Sequence, residues 1–360
     1  MSGTSADAVD VVVVDFSHNK TVLIGSYSKP LDTDLRHQIH SLTIPNHNEI
    51  DRFGQLDRQL AELFAQSILH LLNELGLNSE QILAIGSHGQ TIRHRPPGTQ
   101  QNPFTLQIGD PNIIVERTKI TTVADFRRRD MAAGGHGAPL VPAFHQAVFQ
   151  SESIDRAVVN IGGMANITWL PTSGKTIGFD TGPGNVLMDA WALKHLGKAY
   201  DANGDWAASG QVDTDLLAQL LSHEFFRQQP PKSTGRELFN FEWLAPHTKH
   251  KTLSPPDVQA TLLALTAQSI ANDLNKLSNA DGEVYVCGGG VYNVTLMGAL
   301  TRLLPNMKVT TTEALGVSPQ WVEAMAFAWL ARQTMKRQSG NLSAVTGANR
   351  EVILGGVYFA

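Results

Sequence analysis

The chain has 360 residues, 42% hydrophobic and 17% charged, with a formal net charge of -5, which is length enough for two cores and excludes a disordered composition. Its 28 basic residues are spread along the sequence apart from FRRRD at 126–130, so no nucleic-acid footprint is present, and Cys287 as sole cysteine excludes an internal disulfide or a thiol-based zinc cluster. No run reaches the roughly 18 apolar residues of a membrane span and no basic-then-apolar leader opens the chain, so a cytoplasmic protein without a membrane partner is expected.

The predicted elements begin with a hairpin. VDVVVVDF (9–16) and TVLIGSYS (21–28) read as paired strands joined by a turn at 18–20. Just before them, Gly3, Thr4 and Ser5 form a small-residue turn beside Asp7 and Asp10. From Ile50 to Leu77 apolar residues recur at helical spacing through Leu56, Leu60, Leu63, Phe64, Ile68 and Leu71, predicting an amphipathic helix that covers a sheet face. ILAIGSHGQTI (82–92) reads as one buried strand running into a polar loop.

A second half begins near Ala138, where helical PLVPAFHQAVF precedes the strand AVVNIGG, and the long helix at 258–277 precedes the strand EVYVCGGG. Each half repeats one plan: strands joined by a glycine or serine turn, then helices. Strands alternating with helices predict an α/β protein of two domains, 1–130 plus about 340–360 and 131–339.

Three turns carry the chemistry. A glycine at a strand end lets backbone N–H groups approach a phosphate without a Cβ in the way. Such turns occur at Gly3, in NIGGMANIT (160–168) and in VCGGGVYN (286–293), and together they suggest a nucleotide. Taken singly, the first is equally a polar hairpin turn, with no lysine following as in a P-loop, and each of the other two is more often a tight bend than a ligand site. Asp7 and Asp10 are candidate Mg²⁺ ligands, direct or through water. Asp180, in GFDTGPGN, is read at a strand end ahead of a rigid turn, where it can face a ligand, although the same residue can cap the helix VLMDAW.

Ten ordered segments now matter together: MSGTS, GSHGQTIRH, LQIGD, VADFRRRD, GAPLVPAFH, NIGGMANIT, GFDTGPGNVLMDAW, PKSTGRE, VCGGG and EAMAFAWLA. In order and spacing they resemble the anhydro-N-acetylmuramic acid kinase family over essentially the whole chain. The resemblance implies the two-domain sugar kinase, Hsp70 and actin (ribonuclease H-like) fold, with ATP in the interdomain cleft. It implies ATP- and Mg²⁺-dependent conversion of a small-molecule anhydro amino sugar, 1,6-anhydro-N-acetylmuramic acid, with water to N-acetylmuramic acid 6-phosphate and ADP in cell-wall recycling, by a homodimer.

The family's nucleotide positions fall on Gly3, Thr4, Ser5, Ala6, Asp7, Ala8, Val9 and Asp10, on Asn160, Gly162 and Gly163, and on Gly288, Gly289 and Gly290. Its catalytic base falls on Asp180, and its sugar contacts on Thr91, Gln107, Arg129 and Glu323. The residues agree with this chemistry. A carboxylate that takes a proton from water makes that water a better nucleophile toward an anomeric carbon. A guanidinium is the natural partner of the lactyl carboxylate, but residue physics does not separate Arg127, Arg128 and Arg129, which alternate in direction if they lie on a strand. Glu323 opens an apolar helix, where a carboxylate also favours the helix dipole. His88 reads as a core or loop-bonding histidine ahead of a substrate contact, and the Lys232 to Glu237 loop has no assigned role.

Two departures from the family stand out. Members carry a short strand of the form x-IGLMSGTS before the first turn, whereas this sequence opens at the Met, so translation is expected to begin a few codons upstream. Without that strand a sheet loses ladder hydrogen bonds on two sides. The sequence also has Ala6-Asp7-Ala8 where the family has Leu-Asp-Gly. If position 8 requires φ > 0, alanine there costs about 1 kcal/mol and loosens nucleotide binding. Two other readings are another hexose or N-acetylhexosamine kinase of the same superfamily, and an actin- or Hsp70-like ATPase.

Overall fold

The structure is a computed structural model that describes residues 1–3, 6–17, 21–99, 101–249, 252–278 and 281–360. The expected turn at 18–20 and the phosphate-turn residues Thr4 and Ser5 lie outside the described residues. The chain forms two compact units, Met1–Val148 with Trp321–Ala360, and Phe149–Gln320. Among the described residues no helix is long and apolar enough to cross a membrane.

In the first unit, β1 (Ala8–Asp15) and β2 (Val22–Pro30) pair antiparallel, as the alternating valines predict. β3 (Ile85–Ser87) runs parallel to β6 (Thr122–Ala124), which pairs antiparallel with β12 (Gly356–Tyr358). β4 (Gln90–Arg95) and β5 (Phe104–Ile108) form a separate antiparallel pair. The segment 82–92, read from sequence as one strand, is thus divided: Gly89 at φ 73 turns the chain between β3 and β4. The Glu49–Glu74 helix buries Leu56, Leu60, Phe64 and Leu71 at helical spacing, as the sequence pattern requires. Asp125 at φ 60 breaks β6, and the arginine trio lies on a helix, Phe126–Ala132, in place of the strand considered from sequence.

The second unit holds one five-stranded sheet, in the order β11–β10–β7–β8–β9. Its strands are β7 (Arg156–Ile161), β8 (Met164–Leu170), β9 (Ile177–Pro183), β10 (Gly282–Cys287) and β11 (Met307–Thr311). β7 is central, antiparallel to β8 and parallel to β10. Its AVV run is fully buried because helices and strands cover both faces. The Pro255–Leu277 helix starts where Ser254 accepts the Asp257 N–H and Pro255 presets φ, and it is buried along most of its length against this sheet.

The divisions at 148/149 and 320/321 place residues 131–148 and 321–339 with the first unit, where the sequence reading had put them in the second. Packing is the reason. The Val322–Met335 helix lies so close on β3 that a Cβ at Gly86 would stand 2.1 Å from the Phe327 carbonyl oxygen. Phe144 packs its ring against Trp329 of that helix, at 6.3 Å between centroids.

Strand order in the two units differs by one position. The second unit runs β9–β8–β7–β10–β11; the first runs β2–β1, then a cavity, then β3–β6. That cavity measures about 640 Å³ and is lined by Val11, Val13, Phe64, Ile85 and Ala328 among others, where β7 stands in the other unit. Met1 and Ser2 already occupy its end: the Asp10 N–H donates to the Met1 carbonyl at 2.8 Å, Ser2 bridges Val9, and the Ser2 N–H reaches the Gly89 carbonyl at 3.4 Å.

Candidate active site

Asp180 lies inside β9, not at its end as read from sequence. It pairs with Asn166 beside an irregularity in the β8–β9 ladder that sets Asp180 and Gly182 opposite neighbouring residues. The strand runs on past Asp180 through its pairing with β8 as far as Pro183, and Thr181 turns inward, fully buried, with its hydroxyl donating to the Ala165 carbonyl. The half-buried Asp180 carboxylate is braced from one side only. The Ser233 hydroxyl and the Thr234 N–H both donate to Oδ2 at 2.9 Å, and the Asp180 N–H donates to the Lys232 carbonyl at 3.1 Å. Oδ1 makes no bond among the described residues and is the oxygen available to a ligand.

Desolvation pushes this carboxyl above its ordinary value of 3.8; the Thr234 and Ser233 hydrogen bonds pull back, and the nearby Glu237 charge adds to the push. The Lys232 to Glu237 loop, which sequence reading left without a role, is what holds the candidate base. Its signal in the sequence was its place among the ten ordered segments, and nothing local pointed to a partner 53 residues away.

Beside Asp180, the glycine turns of this unit converge on the C-terminal end of β7. Gly162 and Gly163 make the β7–β8 turn, and their carbonyls accept from the N–H groups of Gly184, Asn185 and Val186 at 2.8 to 3.1 Å, tying down the start of the Val186–Leu196 helix. Gly288 adopts φ 80, and a Cβ there would stand 2.4 Å from Asn160 Oδ1 and 2.8 Å from the Ile161 carbonyl. Gly290 is as tight against Ile161. The Asn185 side-chain amide, missed from sequence, donates to that same carbonyl at 3.3 Å. Asn160, Gly162, Gly163, Gly288, Gly289 and Gly290 therefore form one backbone-lined surface.

In the first unit, Thr91 and Gln107 are cross-strand partners on β4 and β5, with the Gln107 amide donating to the Thr91 hydroxyl at 3.1 Å. The helix separates the arginines by 100° steps. Arg127 turns inward, giving two N–H groups to His88 Nε2 at 2.9 and 3.1 Å and one to the Gly137 carbonyl. A guanidinium only donates, so Nε2 is the acceptor and Nδ1–H donates to the Gly89 carbonyl at 3.0 Å. Burial first, and the Arg127 charge second, hold His88 well below its ordinary range, so this buried histidine is neutral. Arg128 pairs with Asp125 at 2.7 Å. Arg129 is exposed and makes no ion pair among the described residues. Glu323 stands in the first turn of its helix, with its carboxyl directed toward Arg127, the amino terminus and Asp10. Desolvation lifts its carboxyl, while the Arg127 charge pulls it down.

The first-turn residues are placed in part. Ala8 opens β1 in extended conformation, so it needs no positive φ; the left-handed residue is Ala6, at φ 52. The Val9 side chain belongs to the core, leaving only its backbone for a ligand. Asp7 pairs with Arg36 at 2.9 Å, whereas Asp10 accepts from the Ser28 hydroxyl at 2.7 Å through one oxygen only. Among the described residues no three His, Cys, Asp or Glu side chains converge. Protein sites for Mg²⁺ commonly offer one or two carboxylates and leave the rest to phosphates and water, so Asp10 fits such an ion and Asp7, already neutralised, fits less well.

Strand hairpins closed by glycine turns, with a carboxylate beside them and parallel strands following, are the plan of phosphotransferases of the sugar kinase, Hsp70 and actin superfamily, a mixed α/β class. The family model described as anhydro-N-acetylmuramic acid kinase matches residues 1–360. Proteins so named from Coxiella burnetii (strain RSA 493 / Nine Mile phase I) and Shewanella oneidensis are 50% and 52% identical to this chain, over 100% of it and 96% and 97% of their own lengths. The chain belongs to the anhydro-N-acetylmuramic acid kinase family. Solved structures that it resembles more distantly include (R)-2-hydroxyglutaryl-CoA dehydratase component A from Acidaminococcus fermentans, at 13% identity over 88% of this chain and 95% of that one, with a TM-score of 0.42.

The Gly288 geometry makes a direct prediction. Gly288→Ala places a methyl group against Asn160 and Ile161 at a positive φ, and is expected to lower stability by about 1–3 kcal/mol, read as an earlier midpoint in urea unfolding.

Proposed function

We propose that this chain catalyses ATP-dependent, hydrolytic opening of 1,6-anhydro-N-acetylmuramic acid and phosphorylation of O6, acting in the cytoplasm as a homodimer during peptidoglycan recycling. The observation that carries the reading is the Asp180 carboxylate, pinned through Oδ2 and open at Oδ1, in a chain whose full-length relatives bear that enzyme's name.

Asp180 takes a proton from water as the water oxygen bonds to the anomeric carbon. The C1–O6 bond breaks, its electron pair stays on O6, and O6 bonds to the γ-phosphorus of ATP while the bond from that phosphorus to the bridging oxygen of ADP breaks. An inverting glycosidase needs a second carboxyl group to protonate the leaving oxygen; here phosphoryl capture takes that role, so one base suffices. Thr91, Gln107, Arg129 and Glu323 are assigned to the sugar, with the Arg129 guanidinium, which has no ion pair among the described residues, suited to the lactyl carboxylate. Gly3 to Asp10, Asn160, Gly162, Gly163 and Gly288 to Gly290 are assigned to the nucleotide. A Mg²⁺ ion, when bound, neutralises phosphate charge, and Asp10 is the residue suited to hold it.

Asp180→Asn is expected to lower kcat by about 10²–10⁴-fold with ATP, Mg²⁺ and the anhydro sugar; a wild-type rate of phosphorylated product rules Asp180 out as base. In labelled water the heavy oxygen is expected at C1. A product labelled elsewhere, or unlabelled, favours an ordinary sugar kinase that deprotonates a hydroxyl. Because the base must be ionised and its pKa is raised, activity is expected to fall as pH drops, on an acid limb lying above the ordinary aspartate value of 3.8.

A further inference from the structure

The loop from Lys232 to Glu237 is anchored more firmly than holding one carboxylate requires. At its start, the Lys232 ammonium lies 2.8 Å from Asp273 Oδ2, with the two side chains 1% and 6% exposed, and sits over the Phe225 ring at 4.9 Å. Asp273 comes from the Pro255–Leu277 helix and also takes Lys276 at 2.8 Å, so the loop is tied to the main helix under the sheet. At its end, Phe239 is fully buried against Phe225, Phe226 and Trp243, and the Gly235 carbonyl accepts from the N–H groups of Leu238 and Phe239 at 3.1 Å. The Asn240 amide then holds the Arg236 carbonyl at 3.0 Å.

Between these anchors the loop presents Arg236. Its side chain is exposed and pairs with no carboxylate among the described residues, although Glu237 is its neighbour. Its guanidinium lies against the phosphate-type turn: a Cβ at Gly163 would stand 3.7 Å from Nη2 and 3.9 Å from Nε. An unneutralised guanidinium beside a glycine turn with no side chain in the way is a receptor for an oxyanion, with two N–H groups free to bind phosphoryl oxygens in parallel. Glu237 does not fill that role, because its carboxylate folds back over Gly235, where a Cβ would meet it at 2.3 Å.

We propose that the Lys232 to Glu237 loop serves both ends of the reaction: Ser233 and Thr234 orient Asp180, while Arg236 binds the terminal phosphate of the nucleoside triphosphate over the Gly162–Gly163 turn. This rests on the reading of Asp180 as base, but its nucleotide half stands or falls alone. Rigid anchoring through Lys232 and Phe239 then keeps proton acceptor and phosphate receptor at one spacing, which a flexible loop does not do.

The test separates the two halves. Equilibrium binding of a non-hydrolysable ATP analogue is measured by calorimetry on the full chain, with Mg²⁺ and without sugar. Arg236→Met is expected to weaken binding at least about tenfold and Arg236→Lys to recover part of it, with unfolding midpoints unchanged. Unchanged affinity in Arg236→Met overturns the phosphate role, whatever becomes of Asp180. Ser233→Ala removes a hydrogen bond that favours the ionised carboxylate, so its acid limb is expected to move to higher pH with KM for ATP unchanged. An unmoved limb overturns the orienting role, whatever the KM for ATP. If Asp180→Asn keeps its activity, the base assignment fails while the Arg236 binding result still decides the phosphate site.

Discussion

The second unit depends on how closely the strand ends of its sheet approach one another. The end of β7 is met by the β9 turn at Gly184 and by the β10 turn at Gly288 and Gly290, with positions for Cβ atoms 2.4 Å from Gly162 or Ile161 atoms or from Asn160 Oδ1. At Gly184, Gly288 and Gly290 there is no room for a Cβ, so backbone approaches backbone there, with the Asn160 and Ile161 side chains packed directly against the glycines. The same closeness fixes β9 against β8 and therefore fixes where Asp180 stands. The glycine-turn surface and the candidate base are two products of one packing constraint.

Electrostatics then sharpens what packing places. Asp180 is desolvated enough for its pKa to rise, yet two donors on Oδ2 keep the ionised form accessible. The neighbouring Lys232–Asp273 pair is buried among aromatic rings, where removing Asp273 strands the Lys232 charge and costs about 3–5 kcal/mol, whereas Asp273 keeps Lys276 if Lys232 is removed. Such pairs add little net stability, so the value of this one lies in fixing the position of the loop. In the first unit the Arg127–His88 contact works similarly: a neutral imidazole in a single tautomer holds a guanidinium inward at the turn between β3 and β4.

The two units also explain each other. A shared plan of antiparallel strands followed by parallel ones is complete in the second, where β7 lies at the centre and supplies bonds to both neighbours. In the first, the corresponding space is a cavity of about 640 Å³ whose walls are the apolar faces of β1, β3 and two helices. Apolar walls and unpaired strand edges facing each other are unfavourable in water for two separate reasons, lost burial and unsatisfied backbone groups.

Local pattern alone determined a good deal. The β1–β2 hairpin, the Glu49–Glu74 and Pro255–Leu277 helices and the buried strand β7 were legible because apolar period and capping residues act within a few positions of one another. The glycine turns were legible as turns, and Asp180 as a residue to watch. Resemblance, more than periodicity, selected Arg129 and Glu323. What only the tertiary structure decided involves residues far apart in the chain: Ser233 and Thr234 closing on Asp180, Lys232 on Asp273, Arg127 on His88, and the Val322–Met335 helix on Gly86. Period and propensity specify which face of an element is apolar, but not which element it will meet. That choice is made by close packing and by the need to pair every buried polar group, both of which are settled when the whole chain is folded.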